Sequence, residues 1–512
     1  MKKYNIFIIS IIILFLLGFS TTKSDPFKKL RAFTELIRLV EENYVDEVDI
    51  NKALNGAFVG LLNELDPHSN FIPIEDMKEI NELFRGDFEG IGIEFSIIDG
   101  YITVISPIPD TPSSRAGLQP GDKITKIDGE SAYQITQKNV VKTLRGEKGT
   151  QVIVTIRRDG EDEEFDATLI RDKIPILSVT NNFMLNNEIG YVEVQRFAEK
   201  TYKEFVESIE NLEKQGMQKL LLDLRNNGGG LLPQALYMID KFISTQDTIL
   251  VTKGRISGSN DVYLASKDRN DKNYPIVVLI NRGSASASEI VSGTFQDLDR
   301  AIVVGETSFG KGLVQRQYKL NDGSAARITI AKYYTPSGRL IQRSYEDGED
   351  DYYLDLLNDN RDSLDINKPK YYTQSGRTVY GGGGITPDFI VKNDLDIPLD
   401  IRNLLFSSKR YIFKYASYLK DNNNISNNYD DWISISNSFV EQSKFADWLK
   451  SQEYDIDENI LSTHWDYVKN RIIAETSGII WGKEFKKRIL LNSDKQVEEA
   501  LNYFDEAEKL IK

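Results

Sequence analysis

Three apolar runs limit the architecture of this chain more than any other feature. Residues 220–224 (Leu-Leu-Leu-Asp-Leu), 275–280 (Pro-Ile-Val-Val-Leu-Ile) and 301–305 (Ala-Ile-Val-Val-Gly) lack the polar alternation of a half-exposed strand. Strands of this kind are buried on both faces, and such sheets are parallel-rich with helices as crossovers. The residues that follow fit that scheme. Asn226-Asn227-Gly228-Gly229-Gly230 leads into a helix with Pro233 in its first turn. Asn281-Arg282-Gly283 leads into a helix start of small residues. Residues 173–345 therefore read as an α/β core, rejoined by a return strand at Ile385-Thr386-Pro387-Asp388.

The flanks differ in period. In 27–85, Phe33, Leu36, Ile37, Val40 and Tyr44 recur at helical spacing, and a second helix spans 50–65 and stops at Asp66-Pro67. His68 follows in Asp-Pro-His-Ser, where a turn histidine is the simplest reading. Residues 86–171 carry five short β-patterned runs divided by Asp99-Gly100, Pro120-Gly121-Asp122, Asp128-Gly129 and Asp159-Gly160. After residue 396 the chain is helical, and Trp432, Trp448, Trp465 and Trp481 all lie there, as in a separately packed domain. Val497, Leu501, Phe504 and Ile511 mark a core face of the last helix. The expected organisation is a leader or anchor at 1–22, a helical region 23–85, a β-rich module 86–172, the core 173–395 and a helical domain 396–512.

Charge and residue inventory exclude several chemistries. The net charge of −15 argues against a nucleic-acid partner, which needs a basic footprint. Residues 346–365 hold nine acidic side chains and one Arg, so an acidic surface insertion is expected at 346–370. Absence of cysteine excludes thiol catalysis, thiolate metal sites and a lipobox anchor. Two histidines, His68 and His464, leave no His-rich metal site. Lys2 and Lys3 precede an apolar run, 6–19, of signal-peptide length. Phe19-Ser20-Thr21-Thr22 is a poor cleavage site, so export with either a cleaved leader or a retained inner-membrane anchor is expected.

The chemistry concentrates at strand ends. Asn281-Arg282-Gly283-Ser284-Ala285-Ser286-Ala287-Ser288-Glu289 follows one buried strand and starts a helix, at the sheet edge where α/β sites lie. A nucleophilic serine and a serine N-cap both suit the segment. The next strand ends in Gly305-Glu306-Thr307-Ser308-Phe309-Gly310-Lys311-Gly312. With so few histidines, Lys311 is the most available base, provided burial brings its amine down from about 10.4; an ordinary surface lysine is the other reading. Gln315, four residues on, can hydrogen-bond that amine. Gly228-Gly229-Gly230 at a helix start offers bare N–H groups to an oxyanion, or is a plain turn; Ala287 N–H is a second donor.

Asp223-Leu224-Arg225-Asn226-Asn227-Gly228-Gly229, Gly283 to Glu289, and Phe309-Gly310-Lys311-Gly312 with Gln315 resemble the carboxyl-terminal processing peptidases, peptidase family S41. The resemblance spans residues 27–391. It implies a multidomain α/β protein: a parallel-rich βαβ protease core, an inserted PDZ domain, and helical N- and C-terminal regions. It implies a cofactor-free serine endopeptidase with Ser286 as nucleophile, Lys311 as base, Gln315 orienting the lysine, and Gly229 and Ala287 as oxyanion donors. The 25-residue spacing to Lys311 selects Ser286 over Ser284 and Ser288. Gly90-Ile91-Gly92-Ile93 resembles the loop that holds a peptide's terminal carboxylate. Arg145 is a candidate for coupling that module to the active site, or a surface arginine at a helix end. Expected partners are polypeptides bound by their C-termini, a membrane through 6–19, and a second copy through 396–512. A PDZ scaffold without catalysis and a small-molecule acyl hydrolase on a similar core are the alternatives.

Overall fold

The computed structural model describes residues 26–243, 246–266, 272–346, 348–357, 368–393, 397–423 and 425–511. The expected leader lies outside these residues, as do 358–367 of the acidic stretch. Contacts divide the chain into two compact units, 1–73 with 318–328, and 74–317 with 329–512.

In the first unit, helices Pro26–Asn43 and Ile50–Asn63 precede strand Asn70–Ile72. Asp49 caps the second helix by accepting from Lys52 N–H. Phe58 and Phe71 pack with ring centroids 5.0 Å apart. The apolar face read in the first helix stays open: that helix buries no residue, and Leu36 is 55% exposed. Asp-Pro-His-Ser closes as a turn, with His68 N–H and Ser69 N–H both donating to Asp66 Oδ1. Among the described residues of the chain, no helix is long and apolar enough to cross a membrane.

The second unit is built on a six-stranded sheet in the order Val179–Met184, Ile189–Val194, Lys219–Asp223, Ile276–Ile280, Ile302–Gly305, Phe389–Ile390. The first pair is antiparallel and the rest are parallel. Because successive side chains point to opposite faces, each apolar run serves two cores. Leu220, Leu222 and Leu224 join helices Thr201–Lys214, Leu232–Asp240 and Ala287–Asp297 on one face. Leu221, Val277, Leu279 and Val304 meet Leu491, Val497, Ala500, Phe504 and Ala507 on the other. Burying each such leucine contributes about 1.5–3 kcal/mol.

The C-terminal region therefore divides. Residues from Ile401 to Ile489 form their own core around fully buried Trp432, whose indole N–H donates to Ser477 Oγ at 2.9 Å. The final segment, expected to be one helix, is two, Lys495–Leu501 and Phe504–Leu510, and it roofs the six-stranded sheet. The return strand also shifts to Phe389–Ile390, because the Ile385 backbone is taken by Ser308.

The β-rich module has strand order Ile93–Ile98, Tyr101–Pro107, Lys123–Ile127, Gln151–Arg157, Phe165–Ile170, all antiparallel. Asp87–Gly90 enters and Asp172–Pro175 leaves, paired with each other, so both connections run through one ladder. The acidic stretch packs more than its composition suggests. Its helix Glu349–Leu354 buries Tyr352 against Phe309, with centroids 5.8 Å apart, and the Arg343 guanidinium lies 4.1 Å from the Tyr352 ring centre. One aromatic anchor outweighs the surrounding charge.

Candidate active site

Strand Ile276–Ile280 delivers the Ser/Ala segment to the carboxyl edge of the sheet, and every residue of the following helix Ala287–Asp297 is buried. The three serines then separate. Ser284 Oγ donates to Leu224 C=O at 2.8 Å, and Ser288 Oγ to Asn227 C=O at 2.8 Å; both residues are fully buried. Ser286 is part-exposed and stands at the N-cap of that helix, in a capping box with Glu289. Its backbone stands at φ 54°, ψ −111°. A side-chain-bearing residue held there is strained, and strain of this kind gathers at functional turns.

Glu289 joins that turn to the lysine loop. Its carboxylate accepts from Ser286 N–H at 2.7 Å, Gly310 N–H at 2.7 Å, Lys311 N–H at 2.9 Å and Ser308 Oγ at 2.5 Å. Ser286 and Lys311 share the same oxygen, Oε2. Burial pushes the Glu289 carboxyl above its ordinary value, against the pull of the four donors. Tyr333 closes the other side: its hydroxyl donates to Lys311 C=O at 2.6 Å and lies 3.2 Å from Ser286 C=O. The Lys311 amine donates to Gln315 Oε1 at 2.9 Å, and in this conformation no hydrogen bond joins it to the Ser286 hydroxyl.

The glycine loop backs onto the serine. Gly229 has φ 95°, and a Cβ there would lie 2.8 Å from Ser286 Cβ and 2.9 Å from Ala287 N. Only glycine permits that approach. Its own N–H donates to Asn227 Oδ1 at 2.9 Å, so this expected oxyanion donor is held by a side chain in the present conformation. Ala287 N–H heads the buried helix, where the dipole favours negative charge. At the loop's start, the Asp223 carboxylate accepts Arg225 Nε at 2.9 Å, Arg225 Nη2 at 2.7 Å and Tyr191 O–H at 2.7 Å. Burial alone would raise Asp223; the Arg225 charge and these bonds outweigh it, and the carboxyl stands below its ordinary range.

A model of peptidase family S41 matches residues 188–348, and a PDZ domain model matches 90–169. The carboxy-terminal-processing protease of Bartonella bacilliformis is 39% identical over 329 residues, 63% of this chain and 75% of the relative. The chain belongs to the carboxy-terminal processing proteases of family S41. It is a serine-type endopeptidase with an embedded PDZ domain. Carboxy-terminal processing protease CtpA of Bacillus subtilis is 36% identical over 325 residues, 63% of this chain and 68% of the relative. The photosystem II D1 C-terminal processing protease shares 27% identity across 74% of this chain and 96% of that one, with a TM-score of 0.36.

In this protease's PDZ domain, Gly90 ends the entry strand and Ile93 starts the first sheet strand. Between them, Ile91 C=O accepts Ser113 N–H and Oγ, and Gly92 C=O accepts Thr111 Oγ1. Gly92 stands at φ 83°, and a Cβ there would collide with Thr111. Strand Ile93–Ile98 lies at the sheet edge, paired only with Tyr101–Pro107. Arg145 is no free surface residue. Its Nη1 donates to Glu82 Oε2 at 2.9 Å and its guanidinium lies 4.4 Å from the Phe88 ring centre. It thereby ties the end of helix Gln137–Leu144 to helix Ile74–Arg85.

Glu289, Tyr333 and Asp223 with Arg225 and Tyr191 were not assigned roles from sequence. Glu289 and the Asp223-x-Arg225 pair lie inside the quoted motifs. Only their donors and partners, brought from other strands, show what they do.

Proposed function

We propose that the chain cleaves polypeptides through a Ser286–Lys311 dyad, after a substrate's C-terminal tail has added to the PDZ edge strand with its carboxylate on the Gly90–Ile93 loop. Neutral Lys311 takes the Ser286 hydroxyl proton as Oγ attacks a backbone carbonyl carbon. Negative charge develops on the carbonyl oxygen, towards the N–H groups of Ala287 and Gly229; each such donor is worth about 3–4 kcal/mol. The C–N bond breaks, the lysine proton passes to the leaving amine, and an acyl ester remains on Ser286. Water, deprotonated by the same lysine, hydrolyses it.

The observation that carries this reading is the separation of the serines: Ser284 and Ser288 spend their hydroxyls on carbonyls, and Ser286 shares a Glu289 oxygen with Lys311. Two movements complete the site. The Lys311 amine turns from Gln315 towards Ser286, and the Gly229 peptide leaves Asn227; catalytic hydrogen bonds often form only with substrate bound. Gln315 holds the amine between turnovers.

The test is cleavage of an unstructured peptide with a free C-terminus. Ser286→Ala should lower kcat by ~10⁴-fold or more. Parental turnover by that variant would falsify the reading. Lys2, Lys3 and the apolar run 6–19 support work outside the cytoplasm, in the periplasm or cell envelope, with retention at the inner membrane if the run is uncleaved. Recovery of the chain in the cytosolic fraction would refute that location.

A further inference from the structure

Arg225 opens the loop that carries Gly229, and its guanidinium is held from two directions. Asp223 takes Nε and Nη2 as a fork. The remaining nitrogen, Nη1, donates to Asp494 Oδ1 at 3.0 Å and to Gln496 Oε1 at 3.0 Å. These acceptors lie 269 and 271 residues further along the chain. The Arg225 side chain is only 9% exposed, so without them two N–H groups would be buried with no acceptor.

Both acceptors are themselves fixed. Asp494 caps helix Lys495–Leu501 through Gln496 N–H and Val497 N–H. Gln496 is fully buried and donates its amide to Val391 C=O at 2.8 Å, at the end of the edge strand. The preceding helix, Lys483–Leu491, is pinned along the first strand pair, Glu193 lying beside Asp223 and Met184 at the other end of the sheet. Lys487 pairs with Glu193 at 2.6 Å, and Arg488 donates to Met184 C=O at 3.1 Å. The corner between these helices, fixed by the Asp494 cap and the Gln496 bond to Val391, stands behind Arg225.

We propose that Asp494 and Gln496 are positioning residues for the oxyanion loop: they hold Arg225, and through it the Arg225–Gly229 backbone, at the depth that sets Gly229 against Ser286 and Ala287. The inference rests on the Ser286 mechanism above. It gives the C-terminal helices a part in transition-state binding besides covering the sheet. Both residues act through Arg225, so ground-state binding is expected to be unchanged.

The test uses the full chain and two variants. Asp494→Ser keeps a helix cap but is too short to reach Arg225. Gln496→Leu keeps volume and removes the acceptor. Each should lower kcat about tenfold with KM within about twofold, and weaken a peptidyl boronic acid by the same factor as kcat/KM. Peptide affinity in the Ser286→Ala background should not change. Asp494→Asn, which keeps both cap and acceptor oxygen, should restore kcat to within about threefold of the parent. Parental kcat in both variants overturns the proposal. So does a loss of activity that only follows a fall in melting temperature, or one that appears in KM alone. If Ser286→Ala itself retains parental turnover, the mechanism fails instead, whatever Asp494 does.

Discussion

The serine turn and the glycine loop face each other across Gly229, yet they are held in opposite ways. The serine turn is gathered by its own neighbourhood: Glu289 is three residues from Ser286, and the lysine loop follows on the next strand. The glycine loop depends on Arg225, whose outer partners come from the C-terminal helices. The first is over-determined and strained. The second is tied from outside, by Arg225 and by Phe197 N–H on Gly229 C=O, with Gly229 N–H on Asn227 Oδ1. In the proposed mechanism the Ser286 turn is already set, and the Gly229 N–H has still to leave Asn227.

The largest effect expected from breaking this contrast comes from Glu289→Ala. It strips the acceptor from four donors, each costing about 1–3 kcal/mol when buried and unpaired. Urea unfolding should show a loss of at least about 3 kcal/mol, with peptide cleavage at background. A folded, active variant would mean that the serine turn is not held by this carboxylate.

Gly229→Ala should act on the other partner. Its Cβ meets backbone on the Ser286 side, at a φ of 95° that disfavours alanine. kcat should fall about 100-fold, with a smaller loss of stability than in Glu289→Ala. Equal losses of stability in the two variants would erase the distinction between the two loops.

Acid should sharpen it further. Asp223 lies below its ordinary value of 3.8 in the folded chain. Its stabilisation is therefore complete above that value and is lost as pH falls through the depressed folded one. Asp223→Asn should be less stable than the parent at pH 7, and chemical denaturation should show the gap narrowing below about pH 4. A gap that widens on acidification would contradict the assignment of charge to Asp223.

Ser284→Ala and Ser288→Ala should do least. Each removes one of the two donors to a buried carbonyl, costing about 1 kcal/mol, with kcat within a few-fold of the parent. Abolished cleavage by a stably folded Ser288→Ala would reassign the nucleophile.

Much of this was legible along the chain because it is local. Unalternating strands announced a two-sided sheet, glycine-marked turns announced the β-rich module, and the Ser286, Lys311 and Gln315 spacing pointed to one edge of that sheet. Other features were hidden because one side chain among many decides them. Tyr352 anchors a stretch that composition describes as acidic surface. Val497 and Phe504 read as the core face of a separate domain, and they instead face the protease sheet, because its second face had no other cover.

Residue order by itself determined which strands are buried and where glycine must stand, and its resemblance to a family singled out Ser286. Only the tertiary structure decided which serine hydroxyls bond to carbonyls, which carboxylate gathers the loops, and which end of the chain holds Arg225. Periodicity and turn chemistry are nearest-neighbour properties and survive in one dimension. Hydrogen-bond satisfaction in a buried site is a property of whatever three-dimensional packing brings within 3 Å, and residues 269 positions apart meet there.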